Sequence, residues 1–332
     1  MTTDRPADCE GKRSDSADWE GKRSDSADWE GKRSDSSLQD RIDGLAYTVA
    51  GLRAIGLPQV HALADASGPF RLEGERSSAI RNVELTALET GVVPARYLRN
   101  VGTIGLAGQI KLLRANVAIV GLGGLGGYVT EALARMGIGR LILIDADVFE
   151  QSNLNRQLLC TEGNLGAEKA RAASQRVAAV NSAVEPICRM EALTLHNLSW
   201  LLGGVDSTQQ EGKPCDVVVD ALDSLPTRLV LQEGAQALGI PMVHGSIAGF
   251  LGQVTTIFPD DLGLRALYGS GDQLPEQGLE AELGTPAATP MAVAAWEAQE
   301  VVKVLTGQGK PLRDRLLVID MESATSQILQ LG

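Results

Sequence analysis

Short apolar runs alternate with longer amphipathic stretches through most of the chain. Residues 125–136, 167–180 and 226–238 have helical length and spacing, and each is flanked by an apolar run. This alternation predicts a mostly parallel sheet with helices on both faces. A helix at 291–305 and a pair of strands are expected to close the chain. The predicted strands are 117–120, 140–144, 184–188, 216–220, 242–244, 252–258, 316–320 and 327–331.

The pattern is weaker on both sides of this region. Ser37 is a candidate cap for a helix whose apolar positions continue to Leu52, and residues 77–90 suggest a second helix. Pro58 and the Gly68-Pro69 pair break the pattern between them. We therefore expect residues 37–93 to be an accessory helical segment. Residues 259–289, rich in glycine and proline, are expected to form a long irregular loop. The apolar positions of the first helix are Leu38, Ile42, Leu45, Val49 and Leu52.

The amino-terminal stretch is a decapeptide written three times, over residues 7–36. The copies differ only at Cys9, which stands where the other two carry Trp19 and Trp29. A unit this short and polar buries too little apolar surface to offset its ordering entropy. Residues 1–36 are thus expected to be a disordered tail, and a docking tail that displays the two tryptophans is the alternative.

The composition of the chain argues against a membrane protein, a secreted protein and a nucleic-acid-binding protein. With 332 residues, 44% of them hydrophobic, the chain can bury a substantial core. No apolar run reaches membrane-spanning length without a charge, and the start lacks the apolar core of a secretory signal. We expect a cytoplasmic protein with no membrane partner. A formal net charge of −12 disfavours nucleic acid as a partner.

Cysteine and histidine offer no ligand set. None of the four cysteines lies in a CxxC pair, which argues against a disulfide scaffold and against a four-thiolate zinc site. Cys188 lies in a predicted strand and Cys160 lies in an apolar context after two leucines, and both are interpreted as packing residues rather than nucleophiles. The three histidines lack ligand spacing, and His244 is interpreted as a satisfied structural histidine.

Residues 116–157 form the most informative stretch. An apolar run leads into GLGGLG, a helix-like segment follows, and a second apolar run ends at Asp145. The glycines allow a tight turn and a close approach to phosphate, while a carboxylate at this point can accept hydrogen bonds from ribose. This βαβ unit fits NAD, FAD and ATP alike. The candidate glycines are Gly121, Gly123, Gly124 and Gly126.

Polar residues downstream favour a triphosphate over a dinucleotide. Arg156 can grip phosphate oxygens with two donors, and Lys169 adds a point charge near the start of a helix. Asp223, beyond the end of a strand, is placed to hold Mg²⁺ on the phosphates, with a helix N-cap as an alternative or additional role. Arg228, one turn into the next helix, is expected to pair with it. The other polar candidates are Asp147, Asn153, Asn155 and Gln157.

From about Arg96 to its end the chain resembles the ThiF/MoeB/HesA family, bacterial relatives of ubiquitin-activating enzymes. The matching segments agree in order and spacing over about 235 residues, although Ser224 stands where the family usually has asparagine. The family's two zinc-binding CxxC pairs are missing, so a zinc-less variant is expected. The matching segments are RYLRN, VGLGGLG, DADVFEQSNLNRQ, GAEKA, DALDSLPTR, HGSIAGFLGQVTTIFPDD and ATPMAVAAWEAQEVVKVL.

The resemblance implies a fold, an activity and a partner. The fold is a Rossmann-like α/β domain over residues 94–332, with C-terminal antiparallel strands. The activity is ATP-dependent adenylation of the C-terminal Gly-Gly carboxylate of a small ubiquitin-fold sulfur carrier, with release of pyrophosphate, in molybdopterin, thiamine or other sulfur metabolism. By resemblance Asp145 takes the ribose, Asn153, Arg156 and Lys169 the triphosphate, and Asp223 the Mg²⁺. Arg99 resembles an arginine that enters the partner protomer's ATP site, which implies a homodimer.

Other interpretations stay open on sequence alone. An NAD(P)-dependent oxidoreductase shares the glycine loop and Asp145, but it does not need Arg156 and Lys169. A noncatalytic interaction module that kept the fold would not need intact phosphate-gripping residues. A family member that activates a tRNA-base carboxylate is disfavoured by the acidic chain, which lacks an obvious basic patch. The carrier and its pathway cannot be identified from these residues.

Overall fold

The computed structural model of the protein describes residues 36–70, 73–203, 214–269 and 278–331. The decapeptide repeat lies outside these ranges except for Ser36, so the predicted tail is not part of the description. Residues 270–277, in the middle of the predicted loop, also lie outside them. From Leu38 onwards the chain forms one compact unit.

Helices and strands alternate along most of this unit. The described helices are α1 (Leu38–Leu45), α2 (Leu57–Asp65), α3 (Glu73–Glu89), α4 (Leu98–Arg114), α5 (Gly126–Met136), α6 (Lys169–Val180), α7 (Leu198–Leu201), α8 (Leu225–Ala237), α9 (Leu264–Tyr268), α10 (Glu280–Leu283) and α11 (Ala288–Thr306). The described strands are β1 (Tyr47–Val49), β2 (Leu52–Ile55), β3 (Val93–Pro94), β4 (Asn116–Val120), β5 (Arg140–Ile144), β6 (Glu185–Arg189), β7 (Val217–Asp220), β8 (Met242–Ala248), β9 (Leu251–Ile257), β10 (Arg315–Asp320) and β11 (Thr325–Gln330).

The main sheet has eight strands in the order β11-β10-β9-β8-β7-β4-β5-β6. Strands β4, β5, β6, β7 and β8 pair in parallel, whereas β9, β10 and β11 continue the sheet in antiparallel pairs. The strand order reverses beside β4, because β5 lies on one side of it and β7 on the other. A reversal of this kind opens a crevice at the carboxyl ends of the strands, where ligands bind in open α/β sheets. The predicted α/β class and antiparallel end are confirmed.

Two apolar cores cover the two faces of the sheet. Side chains of α4, α5, α6 and α11 pack on one face, and those of α7, α8 and α9 pack on the other. Strand β4 is buried over its last four residues, as its uninterrupted apolar run predicts. Helix α5 ends at Gly137, whose positive φ closes the helix while Tyr97 fills the space where a Cβ would stand.

The segment before the main sheet differs from the prediction. It contains α1, α2 and α3, but also a small sheet in which β2 pairs with β1 and β3. The predicted first helix ends at Leu45, so Val49 and Leu52 lie in a hairpin instead. Ala50 and Gly51 both have positive φ and form the tight turn that joins its strands. Pro58 does not interrupt a helix, since it lies in the first turn of α2, where its missing N–H costs nothing.

The C-terminal part is more regular than expected. The described portions of the predicted 259–289 loop contain two short helices, α9 and α10. Helix α11 begins three residues earlier than predicted, and β8 runs on to Ala248 because its antiparallel partner β9 pairs with it throughout. In the parts of the chain that the structure describes, no helix combines the length and apolar character needed to cross a bilayer.

Candidate functional site

The glycine loop lies between β4 and α5, at the strand-order reversal. Gly121 has a φ of +89°, and a Cβ there would stand 2.5 Å from the carbonyl oxygen of Ala221 in the neighbouring β7–α8 connection. A Cβ at Gly126 would overlap the carbonyl oxygen of Gly121, so both positions require glycine. No side chain caps the start of α5. Uncapped N–H groups at the start of a helix favour an anion.

Asp145 follows β5 and pins this loop. Its Oδ2 accepts a hydrogen bond from the amide of Leu122 at 2.7 Å, and its Oδ1 accepts one from the amide of Asp147 at 2.8 Å. Burial raises the pKa of Asp145 above its ordinary value, and the charge of Lys169 and the two amides oppose this shift. The carboxylate therefore lies beside the glycine loop, as the sequence predicts, and also holds the loop in shape.

Lys169 and Asn153 are both buried near this point. The Lys169 ammonium donates to Oδ2 of Asp147 at 2.9 Å and is only 8% exposed. Asp147 thus orients the Lys169 side chain. The Oδ1 of Asn153 accepts a hydrogen bond from the amide of Glu150 at 3.0 Å, and this reciprocal cap stabilises the turn that carries Arg156.

Arg156 and Gln157 reach back over the glycine loop. A Cβ at Gly124 would lie 3.8 Å from Cγ of Arg156, and one at Gly123 would lie 3.3 Å from Nε2 of Gln157. Only Nη1 of Arg156 has protein partners in the described ranges, namely the Ser152 carbonyl and Oδ1 of Asn155, each at 3.1 Å. The buried Oε1 of Gln157 lacks a hydrogen-bond partner. Both side chains thus lie against the loop, and each keeps polar atoms without a protein partner in the described ranges.

The β7–α8 connection carries Asp223, which is exposed and lies two residues beyond Ala221, the neighbour of Gly121. The expected pairing of Arg228 with Asp223 is wrong. Arg228 is buried and faces Asp220, 4.0 Å from its Oδ2, because its side chain turns inward under the connection. The alternative that Asp223 caps α8 is also wrong, since Ser224 is the cap and its hydroxyl accepts from the Thr227 amide at 3.4 Å.

His244 is only half satisfied. Its Nδ1 hydrogen-bonds Oδ2 of Asp220 at 2.7 Å, but its Nε2 is buried with no partner. Glu297 of α11 lies nearby and was not singled out from the sequence. The signal for its burial was available, because Glu297 lies four residues from both Val293 and Val301 on one apolar helix face.

Arg99 lies apart from these groups on the chain, in the first turn of α4. Its side chain is exposed, and among the described residues it has no hydrogen bond or ion pair. The described part of the chain therefore leaves the Arg99 side chain exposed and without a polar partner.

Asp223 is the candidate carboxylate for a divalent metal ion at this site. Mg²⁺ in nucleotide sites is held by one or two carboxylates together with phosphate oxygens and water. Asp223 fits this pattern, since it is an exposed carboxylate beside the connection that touches Gly121. Within the described ranges no three His, Cys, Asp or Glu side chains cluster closely enough to hold a metal without such a partner.

Comparison with known proteins supports one family. The model of the ThiF family matches residues 97–332. The SAMP-activating enzyme E1 of Haloferax volcanii is 36% identical over 238 residues, which cover 69% of this chain and 82% of that protein. The sulfur carrier protein adenylyltransferase of Thermus thermophilus is 37% identical over 235 residues, with coverage of 67% and 80%.

Solved structures support the same fold. E. coli MccB, in a structure with MccA-N7isoAsn, superposes with a TM-score of 0.61 at 20% identity, over 82% of this chain and 83% of that one. At this identity the likeness concerns the fold alone. It agrees with a helix-flanked parallel sheet that ends in antiparallel strands.

Proposed function

Because the chain belongs to the ThiF family and its named relatives are adenylyltransferases, we propose that it adenylates the C-terminal Gly-Gly carboxylate of a small ubiquitin-fold sulfur carrier. The chain itself is an adenylyltransferase. We assign the reaction to residues 94–332, which include the whole family match. The oxidoreductase alternative has no support among these relatives.

One observation carries the proposal beyond the family name. Arg156 and Gln157 lie over Gly123 and Gly124, while Asp145 holds the start of the same loop. A dinucleotide site at such a loop needs a ribose-binding acid but no arginine side chain against the third glycine, Gly124. A triphosphate does need one, because its charge must be neutralised where it approaches the backbone. The arrangement supports ATP as the co-substrate.

The proposed adenylation does not require a general base. A C-terminal carboxylate is ionised at pH 7, so its oxygen can attack the α-phosphorus of ATP without losing a proton. The new bond joins the carboxylate oxygen to the α-phosphorus, and the bond from that phosphorus to the bridging oxygen breaks as pyrophosphate leaves. The protein has to align the two reactants and neutralise charge on the leaving group.

Each candidate residue has a task in this step. Arg156 holds phosphate oxygens through Nη2 and Nε, the atoms without partners in the described ranges. Lys169 has two further N–H donors beyond the one given to Asp147. Asp145 accepts from the ribose hydroxyls, and Asn153 and Gln157 add polar contacts with the nucleotide. Asp223 would hold Mg²⁺, which supplies charge neutralisation on the phosphates.

We further propose a homodimer in which Arg99 of one protomer completes the ATP site of its partner. Its exposure and its lack of protein partners in the described ranges support this role. An arginine added from outside a site can neutralise charge that develops only in the transition state.

The proposal is tested by isotope exchange between pyrophosphate and ATP. The probes are a ubiquitin-fold carrier domain ending in Gly-Gly and the same domain without its last glycine. We expect Mg²⁺-dependent exchange with the first and none with the second. Exchange should fall by about 100-fold or more in Asp223→Ala, the usual scale for loss of one electrostatic contact to a transition state. Exchange that ignores the carrier's C-terminus would overturn the proposed substrate.

A further inference from the structure

Four buried side chains lie directly beneath the β7–α8 connection. They are Asp220 at the end of β7, Arg228 on α8, His244 on β8 and Glu297 on α11, and we call them the buried charge cluster. Asp220, His244 and Glu297 are fully buried, and Arg228 is 7% exposed. None of these residues has a task in the reaction described above.

The buried charge cluster hydrogen-bonds both the amide and the carbonyl group of Leu222. The Leu222 amide donates to Oδ1 of Asp220 at 3.1 Å, and its carbonyl oxygen accepts from Nη2 of Arg228. Arg228 also donates through Nη1 to the carbonyl of Gly245 at 3.0 Å. A single forked guanidinium thus ties the connection to the neighbouring strand. Leu222 immediately precedes Asp223, so these hydrogen bonds restrain the position of the Asp223 backbone.

The same connection touches the glycine loop. A Cβ at Gly121 would lie 2.5 Å from the Ala221 carbonyl oxygen and 3.2 Å from the Leu222 amide nitrogen. The Ala221 amide donates to the Val120 carbonyl at 2.9 Å, which continues the pairing of β7 with β4. The connection and the glycine loop are therefore closely packed. A displacement of Leu222 would shift both Asp223 and the glycine loop.

The charges of the cluster balance only while Arg228 is present. Burial alone would raise the pKa of Asp220, but Arg228 and His244 bring it below its ordinary value, so Asp220 is ionised. Burial lowers the pKa of His244, which leaves the imidazole neutral. Burial and the Asp220 charge raise the pKa of Glu297 well above its ordinary value, whereas the Arg228 charge acts in the opposite direction. Removal of Arg228 would leave a buried carboxylate without its cation, and such groups rearrange or take up water.

We propose that Arg228 is a positioning residue, which sets the place of Asp223 against the glycine loop by holding the Leu222 carbonyl and pairing with Asp220. The role given to Asp223 rests on the proposed function, but the restraint on Leu222 does not. Lysine cannot replace this arginine fully, because one ammonium lacks the fork that reaches Leu222 and Gly245 together.

The test compares Arg228→Met and Arg228→Lys with the full-length parent chain. Hydrogen exchange of the backbone, followed by mass spectrometry, reads the Leu222 amide without any ligand. Pyrophosphate exchange over a range of Mg²⁺ concentrations reads the position of Asp223. We expect Leu222 exchange and the Mg²⁺ concentration for half-maximal rate each to rise by about tenfold in Arg228→Met, the scale of one charged hydrogen bond. Arg228→Lys should lie between it and the parent.

The matched control is Arg265→Met. It removes an exposed ion pair with Glu233, which lies on the same helix α8 as Arg228. This control should leave both readouts at parental values. If Arg228→Met does not fold, Arg228→Lys decides the question, since it keeps the charge and loses only the fork.

The outcomes separate the two proposals. Parental Leu222 exchange and parental Mg²⁺ dependence in a folded Arg228 variant would overturn the positioning role. A parent chain with no pyrophosphate exchange would overturn the proposed function, while the Leu222 measurement would still support or refute the restraint by Arg228.

Discussion

Arg156 is the residue that best distinguishes an ATP site from a dinucleotide site. Its side chain crosses Gly124, and its only described partners are the Ser152 carbonyl and the Asn155 amide oxygen, both within its own turn. No buried carboxylate holds it in place within the described ranges. The guanidinium is therefore oriented without being neutralised, as a phosphate-binding group should be.

Arg156→Ala should abolish most activity and leave stability nearly unchanged. We expect pyrophosphate exchange to fall by about 100-fold, because one donor pair to the phosphates is lost. The unfolding free energy should change by less than about 0.5 kcal/mol, as at other surface positions. Arg171→Ala, which removes a partly exposed pair with Glu168 one helical turn away, is the control and should leave exchange unchanged. An Arg156→Ala rate within threefold of the parent's would contradict this role.

The placement of individual residues followed from the sequence where it depended on a local motif. Asp145 and the glycines follow from the strand–turn–helix pattern, whose geometry is nearly fixed by spacing. The sequence favours the wrong carboxylate for Arg228, because Asp220 and Asp223 both lie within eight residues of it. Only the packing of β8 beneath the connection shows that the guanidinium turns toward Asp220.

At the scale of elements, the glycine loop and the β7–α8 connection form one interlocked unit. Gly121 and Gly126 are required by backbone contacts from Ala221 and from the loop itself. The sequence alone does not reveal these backbone contacts. The alternation of strands and helices predicted this pairing of elements, but the contact between two connections depends on strand order and could not be read from either segment alone.

Gly126→Ala should destabilise the fold through this unit. The new methyl group would overlap the Gly121 carbonyl, so we expect a loss of about 2 kcal/mol in unfolding free energy, together with weaker ATP binding. Gly102→Ala is the matched control, because nothing lies within 4 Å of its Cβ position on α4. It should be neutral or stabilise by up to about 1 kcal/mol. Urea denaturation measures both, and equal effects would refute the steric account.

A second interlock joins the accessory segment to the nucleotide-binding part. Glu84 of α3 is fully buried, with Nε of Arg96 at 3.1 Å from its Oε1 and the Tyr97 hydroxyl donating to its Oε2 at 3.1 Å. Asn181, after α6, donates to the Tyr97 hydroxyl at 2.9 Å. Burial raises the pKa of Glu84 to about 7, although Arg96 and Tyr97 act in the opposite direction.

Glu84 should therefore make stability fall as pH rises. Its pKa is higher in the folded chain than its ordinary 4.5, so the protonated form favours folding. This contribution is complete below pH 4.5 and is lost as pH rises through about 7. Between pH 5 and 8 the parent should lose up to about 3 kcal/mol relative to Glu84→Gln. Urea titrations at several pH values measure the difference, and parallel pH profiles for the two proteins would exclude the effect.

At the scale of the whole molecule, the fold class followed from periodicity, whereas the small amino-terminal sheet did not. Strands of two to four residues, such as β1 and β3, are too short for a period to be recognised. Pairing of β2 with β3 also joins residues nearly forty positions apart, a tertiary choice that local propensity does not encode. The centre of the main sheet was predictable because β4, β5 and β7 are each a nearly uninterrupted apolar run.

The proposed dimer predicts complementation between two inactive proteins. Arg99→Ala and Asp223→Ala should each lose exchange by about 100-fold or more. When they are mixed and allowed to exchange subunits, a site with an intact Asp223 can receive Arg99 from the other chain. Random pairing gives one intact site in about four, so we expect recovery to about a quarter of the parental rate. No recovery, with mixed dimers verified by mass spectrometry, would contradict a trans role for Arg99.

The most direct measurement of the central claim is the intact mass of the carrier after incubation with the enzyme, ATP and Mg²⁺. The account predicts a gain of one adenylyl group at the carrier's C-terminal glycine, with one pyrophosphate released for each carrier modified. The carrier without its last glycine, and Asp223→Ala enzyme with the full carrier, should show no gain. An unmodified carrier alongside ADP and inorganic phosphate would mean that attack is not at the α-phosphorus, and would contradict the account.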